Sequence, residues 1–398
     1  METNYVNPHQ PLKFVDESRI DGIDYADPTL EPVVSVVVPI FNASYTLDEA
    51  LASLEVQTMD NIEIICVDDA STDRSRAIID AHASRDGRYV VVSHARNCGY
   101  GASMNDGIAA ARGQWIAILE PDDYVLPDMY EKLLATPAEV DATDVEIIKS
   151  PYIREIREDG VRRGDVAKTH LNCRYRGLIE PSWQPFSMKD PGVTHLLRHH
   201  PSIWSALYST TFLAEYGLRF VEYPGSGWAD NEFFYDTLLR ARRIVYRDEP
   251  FYVYREETPA EFDSFARDRK LLRFERWQSM ADIIEELGID DEVIRASHVS
   301  KGFTYLGEQI STWGEDDPEV RQAMEKMFAR MDPRLVEKER RVSPHLKKLY
   351  FEARGIPHRS AGDRPRYYRA LAKEFVHTLR SNGIRYTADQ VKQTIKRH

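Results

Sequence analysis

Four short apolar runs, each followed by a helical pattern, constrain this chain more than any other feature. They are Val33-Val-Ser-Val-Val-Val38, Ile62-Glu-Ile-Ile-Cys-Val67, Tyr89-Val-Val-Val-Ser93 and Gln114-Trp-Ile-Ala-Ile-Leu119. Runs this rich in β-branched residues suit strands covered on both faces. Pro39 and Asn42 are expected to end the first. Thr46-Leu-Asp-Glu49 reads as a capping box ahead of a helix reaching Val56. Further helices are expected up to Ala83 and from Gly101 to Arg112. Strands alternating with helices at this spacing mean βαβ units and a mostly parallel sheet. Right-handed crossovers then carry the strand-end loops to one edge, where ligands bind in such sheets.

Beyond Asp123 the pattern is weaker. Glu146-Ile-Ile-Lys149, the flanks of an Asp159-Gly160 turn, Arg243-Ile-Val-Tyr246 and Phe251-Tyr-Val-Tyr254 read as strands. From about Phe262 the chain turns helical. Leu271, Leu272, Phe274, Trp277, Met280, Ile283, Ile284 and Leu287 share one helical face, and Gly288 is a helix stop. The expected organisation is an N-terminal arm over 1–32, an α/β domain over 33–260 and an all-helical region over 261–398. The 398 residues exceed one ordinary core.

Composition narrows the function classes. The net charge of −13 argues against a nucleic-acid binder. No apolar stretch approaches the 18 residues of a membrane span, and the N-terminus lacks a signal-peptide pattern. The 3 cysteines show no zinc spacing, and Cys66 reads as core. A cytoplasmic setting is expected, with peripheral contact at the inner face of a membrane left open.

The chemistry gathers in the strand-end loops. These carry Pro39-Ile-Phe-Asn42, Asp68-Asp69, Arg96-Asn-Cys-Gly-Tyr-Gly101 with Asn105, and Glu120-Pro-Asp-Asp123. An aromatic ring can stack on a nucleobase, and a carboxylate such as Asp69 can accept its imide N–H. Asp122 and Asp123 are hard oxygen ligands suited to Mg2+ or Mn2+, which bridges to diphosphate oxygens. On its own, Asp122-Asp123 reads equally well as an acidic turn before a helix near Pro127.

Taken in order, Val36-Val-Val-Pro-Ile-Phe-Asn42, Val67-Asp-Asp-Ala-Ser-Thr-Asp73, Asn97-Cys-Gly99 with Asn105-Asp-Gly-Ile108, and Leu119-Glu-Pro-Asp-Asp-Tyr124 resemble glycosyltransferase family 2. The resemblance is strong over about 33–128 and looser over 200–256. It implies a GT-A fold and an inverting transfer from a nucleotide-sugar donor, UDP-linked, to a hydroxyl of a glycan, cell-surface polysaccharide or glycolipid. It divides the α/β domain into a nucleotide-binding half, 33–128, and an acceptor half, 129–260. It implies donor contacts at Pro39, Phe41, Asn42, Asp69, Asn97, Gly99, Asn105, Glu120 and Asp122, and metal contacts at Asp122 and Asp123. Glu120 stands where the family usually has Asp. Asp230, in Gly227-Trp-Ala-Asp-Asn-Glu232, matches the catalytic base, with Glu232 in reserve. Ala229 stands where Glu is usual. Without the resemblance, Asp230 would read as a helix N-cap.

Other features weigh less. Gly99 and Gly101 are not a dinucleotide fingerprint, because its third glycine would fall at Met104. Trp204 and Trp228, with Trp183, are expected on the acceptor side, with Trp228 favoured to touch it. His195, His199 and His200 read as solvated or capping. Residues 359–398 hold 10 Lys/Arg against Asp363, Glu374 and Asp389. This basic amphipathic stretch suits anionic lipid, the chain's own acidic domain, or plain solvent exposure, and the helical region as a whole is expected to serve acceptor binding, oligomerisation or membrane contact. The competing readings are a glycosyltransferase-like scaffold without catalysis and a sugar nucleotidyltransferase. The second normally needs a basic glycine-rich loop after the first strand, which Pro39–Ser44 is not.

Overall fold

The computed structural model describes residues 18–25, 27–157, 168–180, 184–225, 227–256 and 270–396. The chain enters through β1 (Ile20–Tyr25) and runs β2 (Val34–Ile40), α1 (Leu47–Glu55), β3 (Ile62–Asp68), α2 (Ser75–Ala83), β4 (Tyr89–His94), α3 (Tyr100–Ala110) and β5 (Trp115–Ile118). Then come β6 (Tyr124–Val125), α4 (Met129–Glu139), β7 (Ile147–Lys149), β8 (Tyr152–Arg157), β9 (Lys168–Asn172), α5 (His195–Arg198), β10 (Ala206–Ser209), α6 (Thr210–Tyr216), α7 (Asp230–Arg240), β11 (Ile244–Tyr246) and β12 (Tyr252–Glu256). Helices α8 (Leu272–Glu286), α9 (Glu292–Trp313), α10 (Pro318–Arg330), α11 (Pro333–Lys338), α12 (Pro344–Ala353) and α13 (Asp363–Lys396) complete it.

An 8-stranded sheet in the order β1-β4-β3-β2-β5-β10-β7-β11 forms the centre. Strands β4, β3, β2 and β5 run parallel, so their following loops share one edge. The segment read as an extended arm supplies the antiparallel edge strand β1. A second sheet, β6-β12-β8-β9, stands beside that edge. Every residue of β2 and β3 is buried, as their apolar runs require.

Two local expectations change. Pro39 does not end β2; it pairs with Val67 of β3. The ladder from β2 to β5 stops at Val37, whose carbonyl accepts from Leu119 N. Pro39 lies two residues further on, so its missing N–H falls past the end of that ladder and nothing is lost. Thr46 caps α1 without a side-chain bond to it. Its hydroxyl turns back to the Ala43 carbonyl instead. The expected turn at Asp159-Gly160 lies outside the described residues, as does the start of the helical stretch at Phe262.

Helix α8 ends as expected: Gly288 takes φ +60°, and its N–H and that of Ile289 return to the carbonyls of Glu285 and Ile284. Its buried residues divide between two cores. Met280 and Ile284 join the core of the central sheet, whereas Phe274, Trp277 and Ala281 join that of the helical region. Among the described residues, no helix is long and apolar enough to cross a membrane.

Gly107 lets α3 lie on the sheet. A Cβ there would sit 2.4 Å from Val37 Cγ1 and 3.0 Å from Val67 Cγ2, both in buried strands. Overpacking of this kind costs about 1–3 kcal/mol. Gly107→Ala should therefore lower the urea midpoint by that equivalent without changing the slope; an unchanged midpoint would show that α3 is not seated so tightly.

Candidate active site

The parallel strands place Phe41 after β2, Asp69 after β3, Asn97 after β4 and Glu120–Asp123 after β5, all on one edge. Phe41 is 48% exposed, available for a ring to stack on, while Pro39 is buried behind it. Asn97 is exposed in the loop leading to α3.

Asp122 and Asp123 have different surroundings. Asp123 is fully buried. Its Oδ2 accepts from the Tyr252 hydroxyl at 2.8 Å and its Oδ1 from Arg255 N at 2.8 Å. Both oxygens accept from β12, so Asp123 pins the sheets together, and Asp122 is the more open of the two carboxylates expected at a metal. The Tyr252 hydroxyl also accepts from Glu120 N at 3.1 Å. With the turn held from behind, Glu120 and Asp122 remain half-buried at its front.

Glu120 Oε1 accepts from the Tyr100 hydroxyl at 2.6 Å. Burial pushes Glu120 up to about 8; the Tyr100 bond opposes this, and the charges of Asp122 and Asp230 add to it. Asp122 is raised by burial. Asp230 is raised to about 7, by burial first and then by the Glu232 charge. Among the described residues, none of these three carboxylates has a basic group within 4 Å. At an effective dielectric of about 20, two like charges ~5 Å apart cost about 3 kcal/mol. An unpaired acidic cleft of this kind fits a divalent cation with oxygen preference.

Asp230 is the first residue of α7, and Ala229 is its N-cap with no side-chain bond, so Asp230 is not a cap. Its half-buried carboxylate accepts from Asn231 Nδ2 at 3.2 Å, and the N–H groups at the start of α7 face it. Residues from α9 back it. Tyr305 donates to Asn231 Oδ1 at 2.7 Å, and buried Lys301 donates to the His199 carbonyl at 3.1 Å. The Lys301 charge favours ionised Asp230. Glu232, held in reserve as base, is buried and tied to Arg276 at 3.2 Å and the Tyr223 hydroxyl at 3.1 Å. It is a structural partner.

Several expected donor contacts turn out to hold the chain to itself. A Cβ on Gly99 would lie 2.7 Å from Tyr223 O, and one on Gly101 would collide with Val221 O. These glycines admit the segment leading to Asp230. Asn105 mimics a strand partner, accepting from Phe220 N and donating to Phe220 O, both at 2.9 Å. Asn42, at φ +53°, accepts from Thr72 N and Asp73 N and so joins the loops after β2 and β3. Asp69 accepts from Cys98 N, Gly99 N and the His94 ring.

His94 lies between Asp69 at 2.8 Å and Asp106 at 3.0 Å. Burial pulls it down, but the bonds to Asp106 and Asp69 win and hold it as imidazolium, at about 9. Arg19 clasps Asp106 and Glu222 on the far side. Among the described residues, Asp69, His94 and Cys98 are the grouping with metal-ligand spacing. There both His94 nitrogens already face carboxylates.

Trp204 is 3% exposed and stacks on Tyr252 at 4.1 Å, so it packs beneath the site and does not reach an acceptor. Trp228 is half-buried at φ +54° beside Asp230, with the Arg273 guanidinium 4.7 Å over its ring. Trp183 lies outside the described residues. His195 and His199 are half-buried and stacked at 5.8 Å, and His200 is exposed. Sequence reading missed Tyr100, Tyr252, Lys301 and Tyr305. Tyr100 stands inside a quoted motif weighed for Asn97 and its glycines, and Lys301 and Tyr305 carry no local signal on α9.

Comparison with known proteins agrees with this geometry. Residues 35–181 match the profile of Glycosyl transferase family 2. EpsH of Bacillus subtilis is 34% identical over 226 residues, covering 56% of this chain and 61% of that protein. The chain thus spans about three-fifths of that relative. GlyG of Streptococcus pneumoniae, a glycosyltransferase, is 28% identical over 251 residues, 60% of this chain and 77% of its own. In fold, the chain resembles residues 1–349 of S. aureus TarS, solved with UDP-GlcNAc: TM-score 0.59, 19% identity, covering 88% of this chain and 92% of that one. The cleft at the ends of β2 to β5 therefore lies in a domain of GT-A fold, and residues 35–181, which carry those strand ends, match glycosyltransferase family 2.

Proposed function

We propose that this protein transfers a sugar, with inversion, from a nucleotide-diphosphate donor to a hydroxyl of a glycan, cell-surface polysaccharide or glycolipid. The carrying observation is the trio Glu120, Asp122 and Asp230: Glu120 feels the charge of both others, each is held toward its protonated form by burial, and among the described residues none has a basic group within 4 Å. A UDP-sugar is the donor to test first. Phe41 offers a face for the base, and Glu120, steadied by Tyr100, faces the ribose side. The setting assigned to the reaction is the cytoplasmic side of a membrane.

In this reading Asp122 holds the divalent ion, Mn2+ or Mg2+, with Glu120 beside it. Once bound, that ion supplies Lewis-acid stabilisation of the departing diphosphate. Asp230 accepts the acceptor hydroxyl proton as the new C1–O bond forms and the bond to diphosphate breaks on the opposite face. Its raised affinity for protons suits it to that task near neutral pH. Lys301 and Tyr305 steady the start of α7 behind it.

Asp230→Asn should reduce transfer by about 10²–10⁴-fold, while calorimetry with UDP and Mn2+ shows donor binding changed by less than about threefold, a factor worth only ~0.6 kcal/mol. In the wild type, kcat/KM should rise with pH through about 7, as Asp230 loses its proton. Turnover by the Asn variant near the wild-type rate would remove Asp230 from the mechanism. A scaffold without catalysis would bind UDP yet show no turnover in either form.

Asp122→Asn should weaken binding of UDP with Mn2+ by about tenfold or more, roughly 1.4 kcal/mol, and leave metal-free UDP binding little changed. Asp123→Asn should instead lower the melting temperature, since it breaks the buried pin. If the metal effect follows Asp123 and not Asp122, the assignment is reversed.

A further inference from the structure

Helix α13 presents a face that nothing else in the described structure covers. Tyr368, Leu371, Phe375 and Val376 are 65%, 36%, 45% and 44% exposed. Their spacing of i, i+3, i+7 and i+8 puts them on one side of the helix. Arg366, Arg369, Lys373 and Arg380, all exposed, fall on the adjoining side. Between 364 and 384 there are 5 Lys/Arg and a single acid, Glu374. Among the described residues, none of these cations makes an ion pair.

The helix kinks at Gly383 (φ +78°), and it is anchored at its start and around that kink. Asp363 is buried against His358 at 2.6 Å and Lys347 at 3.6 Å. Past the middle, Asn172 of β9 donates to Ser381 O and to Asn382 Oδ1, each at 2.6 Å. Arg154 of β8 donates to the Tyr386 hydroxyl at 2.8 Å and is paired with Glu256 of β12. On the turns between, Tyr368, Leu371, Phe375 and Val376 stay exposed, and among the described residues the cations beside them make no ion pair with the acidic α/β domain.

We propose that this face seats the protein on an anionic lipid surface, the apolar stripe entering the headgroup boundary and the cations meeting lipid phosphates. Charge decides between the occupants. Two copies pairing through the same stripe would bring their cationic flanks together, because a two-fold interface is self-complementary. An anionic bilayer accepts both the stripe and the cations. Because α13 is bonded to β9 and β8, and β8 pairs with β12 beside the Asp123 pin, such seating fixes how the cleft faces the surface.

This inference concerns where the reaction occurs and is separable from its chemistry. The test is co-sedimentation of the full chain with vesicles of phosphatidylcholine alone or with 30% phosphatidylglycerol, a fraction on the order of that in anionic leaflets. Binding to the anionic vesicles should be at least about tenfold tighter and should fall steeply in about 0.5 M salt, where the Debye length is a few Å. Leu371→Asp with Phe375→Asp, both surface changes, should abolish it while the melting temperature and hydrolysis of a UDP-sugar in solution persist. Equal binding to both vesicles, or none, overturns the proposal. So does a dimer by light scattering that the double variant dissolves, which would mark the face as a contact between copies. Loss of donor hydrolysis with vesicle binding intact would strike the enzymatic reading and leave this one standing.

Discussion

The buried carboxylate of Asp123 is the constraint on which the site depends. It is fully enclosed, and it stays so because the Tyr252 hydroxyl and Arg255 N–H satisfy both its oxygens. A buried carboxylate without such partners costs several kcal/mol, so the two sheets and the turn between them hold each other in place. One consequence is directional. With Asp123 facing inward, Glu120 and Asp122 are left half-buried at the front of the turn.

The opposite wall is built by close backbone approach and a charged chain. Gly99 and Gly101 bring α3 against residues 221–225. Asn105 fastens Phe220, and Arg19 ties Asp106 to Glu222. His94, a buried cation between two carboxylates, continues the same chain of contacts to Asp69. The segment that leads to Asp230 is thereby registered against the edge that carries Phe41 and Asp69. Helix α9 closes the arrangement from the C-terminal side through Lys301 and Tyr305.

The strands and helices of residues 33–119 were legible because burial on both faces demands unbroken β-branched runs, a signal that survives without tertiary context. The stop at Gly288 was legible for a similar reason, since only its backbone freedom was needed. Which carboxylate of a pair faces in was not legible. Asp122 and Asp123 are identical in sequence terms, and the choice rests on Tyr252 and Arg255, more than a hundred residues away. Asn105, Gly99 and Asn42 were assigned to a ligand because polar and small residues at loop edges serve ligands and distant backbone equally well. Trp204 misled in the same way: its indole joins an aromatic stack with Tyr252 and Tyr254 that only the folded second sheet creates.

Glu120, Asp122 and Asp230 are proposed to form one cation-dependent cleft. Carboxyl-selective 13C NMR titration of Asp230 and Glu120, with and without Mg2+ and UDP, tests it most directly. Without the ion, both groups should titrate near or above neutrality, about 7 for Asp230 and about 8 for Glu120. With Mg2+ and UDP bound, both should move down together. Ordinary carboxylate values near ~4, unchanged by the ion, would contradict the account.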